Sequence, residues 1–407
     1  MKKAYAVIGS GWGDEGKGNV TDILCSKEIP KTINVRINGG SQASHTVVTP
    51  TGKRHAFRHF GAGTFLGVPT YLSKEFLVNV FTYDMERCDI EEKLGITPVV
   101  YVNPEARVTT LWDMNINQMI ERMRGNNRHG SCGMGINETV HRSKYDEYRI
   151  TVMDLFSEAK LHAKLERIQN EYVPRRLKNK YNLELDELSP DYAVLFVSEK
   201  TIGMTMTMAK RFTESVIVRD DGLLGRFDTA VFEGAQGLLL DQGAQKFWPN
   251  VTTSNTGIKN MIEILDNLGY KDDLEIFYLS RCYATRHGRG IFPTETSGKP
   301  YEKIVDLTNM PNEFQEAMRF GILDIDLLIE AIKNDLKNLN RRATVNIVLT
   351  CFDQVDDKVR YRFQGKDTSV SKEQFLKSME NIFMQNISDL SDMYITQGDK
   401  RSSLIKI

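Results

Sequence analysis

A glycine-rich segment directly after the first apolar run constrains this chain more than any other feature. The short run at residues 4–8 leads into residues 9–19, which read GSGWGDEGKGN. Gly11 to Lys17 has the GxxxxGK spacing of a phosphate-binding loop, in which backbone N–H groups close on phosphate oxygens and the lysine adds a positive charge. The segment therefore predicts a strand, a phosphate loop and a helix in succession. A tight turn that binds no ligand is the alternative.

The residue after the loop lysine changes where a metal ion is expected. Phosphate loops usually place a Ser or Thr there to hold Mg²⁺, but this chain has Gly18. Asp14, inside the loop, is the expected metal ligand instead, because Mg²⁺ prefers oxygen ligands such as carboxylates.

A second glycine-containing segment, residues 38–46, reads NGGSQASHT and ends on a possible functional histidine. Glycines permit a tight loop, and such a loop would present the His45 imidazole beside a ligand. Taken alone, His45 would more often be structural or solvent-exposed than catalytic.

Strand-like and helix-like runs alternate along the chain, which indicates an α/β fold. Several of the strand-like runs are continuously apolar, as in strands covered on both faces. The predicted strands lie at 4–9, 32–38, 192–197, 229–233, 275–280 and 344–350, and the predicted helices at 111–124, 261–268, 324–339 and 372–387. We expect a single large domain, residues 1–407, around a mostly parallel central sheet with helices on both faces.

Two local patterns add detail to this α/β prediction. Residues 46–48 and 53–58 flank a Thr-Pro-Thr-Gly turn and predict a β-hairpin. The stretch 160–190 is the most charged part of the chain, but Leu161, Leu165 and Ile168 keep helical spacing. We therefore expect a helical, charged insertion near 150–190.

Composition narrows the possible functions. Lys and Arg number 53 against 54 Asp and Glu, so a nucleic-acid-binding surface over the whole protein is not expected. No apolar run approaches the ~18 residues of a membrane span, and the first run is too short for a signal peptide. The five cysteines are scattered without metal-ligand spacing. These features predict a cytoplasmic protein that binds small molecules rather than nucleic acid or membrane.

The phosphate loop, the His45 loop and several later segments resemble the motifs of one enzyme family. Four further blocks follow in family order: residues 233–237 (EGAQG), 251–256 (VTTSNT), 283–286 (YATR) and 292–295 (FPTE). Together these segments resemble adenylosuccinate synthetase, and they span most of the chain.

The resemblance implies a GTP- and Mg²⁺-dependent ligase that phosphorylates O6 of IMP and then displaces that phosphate with the amino group of aspartate. Asp14 would take the proton from N1 and contact Mg²⁺, His45 would stabilise the transferring phosphoryl group and act as an acid, and Lys17 would hold the β- and γ-phosphates. The backbone carbonyl of Ser44 would be a second metal contact. The other loop residues expected at GTP are Gly13, Glu15, Gly16, Gly18 and Asn19.

The same resemblance assigns residues to IMP. Ser131 and Cys132 lie where the family places hydroxyl side chains on the 5′-phosphate, and Cys132 replaces a Thr, which weakens one hydrogen bond. Arg142 resembles the arginine that the neighbouring subunit of a homodimer lends to this phosphate, so a homodimer is expected. Gln42, Gln236 and Thr252 would also face the nucleotide. Taken singly, each could equally be a surface or capping residue.

Choice of the nucleoside triphosphate has a separate marker, Asp353. A carboxylate there would accept hydrogen bonds from guanine N1–H and N2–H₂, which adenine cannot offer. Cys351 stands where the family has a Lys that packs on the base. Thr396, Gln397 and Gly398 resemble the segment that closes over the guanosine. Alternatively, Asp353 caps a turn.

The aspartate-binding loop departs from the family pattern. The corresponding region, 312–324, is shorter and has one arginine, Arg319, where the family has several. Arg286, Arg289 and Arg319 are the candidates to hold the amino acid's carboxylates by charge-assisted bonds. This departure leaves open a related ligase that acts on dGMP or another 6-oxopurine nucleotide, or one that uses a different amino acid. A GTP- or nucleotide-binding relative without turnover is a further alternative.

Overall fold

The computed structural model describes residues 1–306, 314 and 317–407. Its strands, in chain order, are β1 (Lys3–Gly9), β2 (Thr32–Arg36), β3 (His45–Val48), β4 (Arg54–Phe57), β5 (Thr70–Leu72), β6 (Val100–Val102), β7 (Ile217–Val218), β8 (Thr229–Glu233), β9 (Asp273–Arg281), β10 (Ala284–Arg286), β11 (Arg319–Gly321), β12 (Leu323–Asp324), β13 (Thr344–Thr350), β14 (Lys358–Phe363), β15 (Lys366–Ser371), β16 (Leu390–Thr396) and β17 (Leu404–Lys406). Its α-helices are α1 (Lys17–Ser26), α2 (Val80–Asp89), α3 (Leu111–Arg124), α4 (Ile136–Arg142), α5 (Glu158–Arg167), α6 (Val173–Arg176), α7 (Pro190–Val197), α8 (Glu199–Ser215), α9 (Lys259–Asn267), α10 (Ile325–Leu336) and α11 (Lys372–Asn386).

The central sheet has the strand order β17-β16-β13-β9-β1-β8-β2-β5-β6-β7 among the described residues. Neighbouring strands run parallel, except that β17 is antiparallel to β16. β1 lies inside the sheet between β8 and β9. Because ligands of open parallel sheets bind beyond the carboxyl ends of the strands, the loop after β1 begins in the region where a ligand is expected.

Successive residues of β1 pack into two different cores, because side chains of a strand point to alternate faces of the sheet. Ala6 and Ile8 belong to the core that also contains residues of α9, α10 and α11. Tyr5 and Val7 belong to the core formed with α1. The predicted α/β class, with a mostly parallel sheet covered by helices on both faces, is confirmed.

Most of the predicted elements are present near their predicted positions. Five of the six predicted strands correspond to β1, β2, β8, β9 and β13, and the four predicted helices correspond to α3, α9, α10 and α11. The predicted hairpin is formed by the antiparallel strands β3 and β4.

The predicted strand at 192–197 is wrong, since these residues form part of helix α7. Pro190 occupies the first turn of this helix, where its fixed φ and missing N–H cost nothing. A continuous apolar run suggested a central strand, whose side chains would all be buried. In α7 the buried side chain is Phe196. Short apolar runs do not distinguish strands from helices by themselves.

The charged segment between residues 158 and 181 is helical in the structure. α5 and α6 alternate with two π-helical turns, Ile168–Tyr172 and Leu177–Tyr181. Leu161, Leu165 and Ile168 are buried in a core shared with α3 and α8. Within the described residues, no helix combines the length and apolar character needed to cross a membrane.

Candidate active site

The phosphate loop folds around a carboxylate of its own. Oε1 of Glu15 accepts hydrogen bonds from the N–H groups of Gly11 (3.1 Å) and Gly13 (2.7 Å), and Oε2 accepts one from Lys17 Nζ (2.7 Å). The Glu15 and Lys17 side chains are both 3 % exposed. Glu15 therefore organises the loop, and its negative charge does not suit the direct GTP contact expected from the sequence. Lys17 would have to turn from Glu15 to reach a phosphate.

Backbone geometry explains two of the loop glycines. Gly16 precedes α1 with φ 79°, in the left-handed region that glycine adopts without strain. At Gly18, an added Cβ would lie 2.7 Å from the carbonyl oxygen of Thr46 and 3.1 Å from Cβ of His45. A Ser or Thr cannot fit at position 18, because the first turn of α1 packs directly against the start of β3. This close contact also brings His45 next to the phosphate loop.

The backbone of Asp14 is hydrogen-bonded to Arg281, whereas its carboxylate is partly exposed to solvent. Its φ is 62°, and its carbonyl oxygen accepts a hydrogen bond from Arg281 Nε at 2.6 Å. Its side chain is 28 % exposed, and Oδ2 lies 3.5 Å from Nε2 of His287. Sequence reasoning missed both partners, which lie more than 260 residues away along the chain.

His45 is held by a buried acid at the end of β8. Its Nδ1 contacts Oε1 of Glu233, while its Nε2 is buried and has no hydrogen-bond partner in the described part of the chain. Burial lowers the pKa of His45 to about 4, although Glu233 opposes the shift. Burial alone would raise the pKa of Glu233, but His45 and Arg36 together lower it. The sequence identified Glu233 only as part of a motif, not as a partner of His45.

The residues expected at IMP include several polar groups without protein partners. Both polar atoms of the Gln42 side chain and Oε1 of Gln236 are buried and unpartnered within the described chain. An added Cβ at Gly13 would lie 3.7 Å from Cα of Gln236, so this residue borders the phosphate loop. Because buried polar groups are normally hydrogen-bonded, these atoms are candidate contacts for a polar ligand.

Thr252 and the turn at residues 130–133, both expected to contact IMP, make hydrogen bonds within the protein. The N–H of Thr252 donates to the Leu240 carbonyl at 2.8 Å, whereas the neighbouring Thr253 has the buried hydroxyl without a partner. Ser131 Oγ is hydrogen-bonded to the amide of Asn117, and burial raises the pKa of the Cys132 thiol. Thr253 also lines a cavity of about 140 Å³, whose other lining residues include Gly39, Arg107, Gln242 and Asn255.

Arg142 lies in the interior of its own chain. Its side chain is fully buried and bonds the Asp113 carboxylate, with Nη2 at 2.8 Å, and the carbonyls of Tyr148 and Val108. These contacts direct the guanidinium into its own chain, so they do not favour the expected contact between Arg142 and a nucleotide in a neighbouring subunit. The sequence did not reveal that Arg142 pairs with Asp113, 29 residues earlier in the chain.

The two segments expected at the guanine base lie together. Oδ1 of Asp353 accepts a hydrogen bond from the N–H of Gly398 at 3.0 Å, and the Asp353 side chain is exposed. Thr396 Oγ1 accepts one from the N–H of Cys351, and the N–H of Gln397 donates to the Ser403 carbonyl. Asn19 Nδ2 donates to Ser403 Oγ at 2.8 Å, so the same segment packs on the first turn of α1.

The arginines expected to hold the amino acid are engaged within the chain. Arg286 and Arg319 are directly opposite each other on β10 and β11. Both Glu295 oxygens accept hydrogen bonds from Arg319, which also donates to two backbone carbonyls. Arg286 stacks on Trp12, with its guanidinium carbon 3.9 Å from the ring centre, and burial lowers its pKa to about 10. In the region 312–324, residues 312, 313, 315 and 316 lie outside the described residues.

The described residues around the loop offer Mg²⁺ one carboxylate, that of Asp14, rather than a complete set of protein ligands. No group of three or more His, Cys, Asp or Glu side chains that could hold a metal occurs within the described ranges. Mg²⁺ is typically bound by one or two carboxylates together with substrate phosphates and water. The partly exposed Asp14 carboxylate beside the phosphate loop suits that mode.

The fold and site together define a class: an α/β protein with a phosphate loop at the carboxyl edge of a parallel sheet, flanked by a carboxylate and a buried imidazole. The family model of adenylosuccinate synthetase matches residues 6–388, so the chain belongs to the adenylosuccinate synthetase family. Members of this family are ligases that form a C–N bond and in general use GTP and Mg²⁺.

Individual relatives are similar over most of the chain. Adenylosuccinate synthetase of Mycobacterium leprae (strain TN) is 29 % identical over 293 residues, which are 72 % of this chain and 65 % of that protein. The solved structure of fully ligated adenylosuccinate synthetase from Plasmodium falciparum has a TM-score of 0.73 at 18 % identity, covering 100 % of this chain and 99 % of that one. The succinoaminodeoxyadenylate synthetase of cyanophage S-2L, bound to dGMP and dATP as an energy donor, has a TM-score of 0.59 at 13 % identity, covering 100 % and 95 %.

Proposed function

We propose that this protein is a GTP-dependent ligase that joins aspartate to C6 of IMP through a 6-phosphoryl intermediate and yields adenylosuccinate, GDP and phosphate. The main support is the convergence of four groups at one edge of the sheet. Asp14 lies in the phosphate loop, Gly18 brings His45 against the same loop, and Gln42 and Gln236 have buried polar atoms with no partner among the described residues.

The proposed chemistry uses Asp14 as the base. Its carboxylate takes the N1 proton of the purine as O6 attacks the γ-phosphorus of GTP, and the bond from that phosphorus to the β–γ bridging oxygen breaks. Phosphorylation turns O6 into a good leaving group. The neutral amino nitrogen of aspartate then attacks C6, phosphate leaves with O6, and the surplus amino proton and the proton held by Asp14 pass to solvent. Mg²⁺, held by Asp14 and the Ser44 carbonyl, would supply charge neutralisation at the phosphates.

Lys17, His45 and the loop N–H groups act on the triphosphate in this proposal. Phosphoryl transfer depends chiefly on positioning and on stabilising charge as it develops. Asp353, with Gly398 bonded to one of its oxygens, supports a preference for guanine, because its second oxygen can accept from the base. Ser131, Cys132 and Thr252 remain proposed IMP contacts, together with Thr253. A homodimer in the cytoplasm is part of the proposal and follows from family membership.

A different amino-acid acceptor is the second candidate, and the state of the two arginines favours it. Because Arg319 is paired with Glu295 and Arg286 stacks on Trp12, neither guanidinium is poised for a dicarboxylate. The dGMP bound by the cyanophage protein gives the nucleotide alternative that any assay should include.

The test is a product assay by mass spectrometry with purified protein, Mg²⁺, GTP and aspartate, with IMP or dGMP as the acceptor nucleotide. We expect a succinyl product from IMP, and far slower product formation with the Asp14→Asn variant as the matched control. Product from dGMP alone would replace the proposed substrate. A 6-phosphoryl nucleotide without succinyl product would reject aspartate and select other amino acids for screening, whereas no reaction in any combination would support the non-catalytic alternative.

A further inference from the structure

The carboxyl ends of β9 and β13 hold two adjacent carbonyl groups of the phosphate loop. Arg281, the last residue of β9, donates from Nε to the carbonyl oxygen of Asp14 at 2.6 Å. Thr350, the last residue of β13, donates from its hydroxyl to the carbonyl oxygen of Glu15 at 3.1 Å. The two strands are neighbours, and Arg281 lies opposite Thr350 in their register. Side chains of two adjacent strands therefore hold the backbone that carries the proposed base.

The same arginine is also bonded towards the turn expected at the guanine base. Its Nη1 donates to the Tyr283 hydroxyl at 3.0 Å, and that hydroxyl donates to Oε1 of Gln354 at 2.7 Å. A guanidinium has only donors, so the tyrosine oxygen accepts from Arg281 and gives its single proton to the glutamine. Gln354 is the next residue after Asp353 in the same 3₁₀ turn. A chain of hydrogen bonds thus joins the guanine turn to the carbonyl of Asp14.

This chain of hydrogen bonds is buried in its middle and exposed at its guanine end. Tyr283 is fully buried in the core that also contains residues of β13 and α10, so packing fixes its ring and the place of its hydroxyl. Asp353 is exposed, and the N–H of Gly398 bonds one of its oxygens. A guanine bonded to Asp353 would add hydrogen bonds at this exposed end and restrain the turn that carries Gln354.

We propose that Arg281 and Tyr283 are positioning residues that make the placement of Asp14 depend on the base bound at Asp353. Asp14 has φ 62°, a backbone conformation that residues other than glycine seldom adopt, so its carbonyl needs a firm partner. Guanine restrains the turn and thereby the guanidinium that holds this carbonyl. Adenine cannot make the same bonds to a carboxylate and leaves the chain of hydrogen bonds less restrained.

Base selection then acts on the rate of the chemical step as well as on binding. The inference rests on the proposed function, because that function makes Asp14 the base and Asp353 the guanine contact.

Tyr283→Phe removes the hydroxyl and keeps the packing of the ring. The matched control is Tyr71→Phe, because Tyr71 is fully buried in the same core and its hydroxyl donates to Oδ1 of Asp221 at 2.6 Å. Tyr71 lies on β5, four strands along the sheet from β9. Both variants lose a hydroxyl that bonds a side chain, so their losses of stability should be similar. Tyr283→Phe also interrupts the connection to Asp14.

The first measurement is hydrogen exchange followed by mass spectrometry, with guanosine as the probe. Guanosine offers the base without phosphates, so it cannot protect the loop through phosphate contacts. We expect guanosine to slow exchange in peptides covering residues 9–19 at least about twofold in the wild type and in Tyr71→Phe, but not in Tyr283→Phe. Adenosine should not slow it in any of the three proteins. Asp353→Asn should abolish the protection, which controls for guanosine bound elsewhere.

Three results of the exchange measurement would overturn the proposal. The first is protection of residues 351–354 and 396–398 in the wild type without protection of the loop. The second is equal protection of the loop in the wild type and in Tyr283→Phe, or protection that persists in Asp353→Asn. The third is protection of neither segment, which would remove guanine from this turn altogether.

The second measurement is steady-state kinetics with GTP and with ATP. For Tyr283→Phe we expect kcat with GTP to fall about tenfold, while kcat with ATP changes less than about twofold and the KM for GTP less than about threefold. Arg281→Lys keeps the positive charge but loses the fork of donors, so it should show the same GTP-specific loss. Tyr71→Phe should leave both rates unchanged.

Equal losses of kcat with the two triphosphates would reduce Tyr283 and Arg281 to structural residues. Absence of ligase product from the wild type would reject the proposed function, and the exchange measurement would still decide whether the guanine turn is connected to the phosphate loop.

Discussion

The phosphate-loop side and the arginine side of this site meet at Trp12, a loop residue on which Arg286 stacks, but their charged and polar groups differ in how far the protein itself pairs them. Beside the phosphate loop, His45 Nε2 and the Gln42 side chain are buried with no partner in the described chain. On the other side, Arg319 is bonded to Glu295, and both terminal nitrogens of Arg286 donate to backbone carbonyls, although its Nε is buried without a partner in the described chain. Under the proposed function, the first region receives the ligand, whereas the ion pair and the backbone hydrogen bonds of the second region mainly stabilise the fold.

The largest expected effect that tests this contrast is loss of turnover in Asp14→Asn. Asn tolerates the left-handed backbone of Asp14, so the loop should keep its shape. Without the base, kcat should fall roughly 10²–10⁴-fold. The measurement is the succinyl-product assay, with GTP binding by calorimetry as the control. Turnover close to that of the wild type would remove Asp14 from the chemistry.

Arg142→Met should instead lower stability, since it leaves the buried Asp113 carboxylate without its guanidinium. Loss of one partner of a buried pair costs about 3 kcal/mol of the free energy of unfolding, which urea denaturation can measure. Arg149→Met, which removes an exposed pair with Asp146, is the control and should change stability little. A raised KM for IMP with unchanged stability would restore Arg142 to the nucleotide site.

Asp353→Asn should weaken the preference for GTP. One acceptor oxygen is lost at the guanine edge, so the ratio of kcat/KM for GTP to that for ATP should fall about tenfold. Asp357→Asn, at an exposed residue just beyond the same turn, should leave the ratio unchanged. Equal ratios for wild type and Asp353→Asn would mean that another residue selects the base.

The smallest effect is expected for Arg319→Gln on amino-acid binding. Because Arg319 is already occupied by Glu295, the KM for aspartate should change less than about threefold. Glu295→Gln is the matched control, since it breaks the same ion pair but keeps the guanidinium. A KM for aspartate that rises tenfold or more in Arg319→Gln, and not in Glu295→Gln, would show that this arginine holds the substrate. The arginine side would then also be a ligand-binding region.

Local patterns in the sequence were sufficient where the chemistry lies within a few residues. The GxxxxGK spacing placed the phosphate loop after the first strand, and apolar runs predicted the central strands of the sheet. The same local reasoning failed at 192–197, where exposure rather than hydrophobicity distinguishes a helix from a buried strand. It also had no means to assign Arg142, whose partner is set by packing of α3 against α4.

The sequence by itself predicted the α/β class and a phosphate loop, because apolar periodicity and glycine spacing are local properties of the chain, and its motif blocks carried the resemblance to the family. Only the tertiary structure decided what each charged group faces. Glu233 meets His45 across 188 residues, and Arg281 reaches the Asp14 carbonyl across 267. Such pairs form because parallel strands bring distant carboxyl ends to one edge of the sheet, and burial there makes every buried charge depend on the partner that the fold supplies.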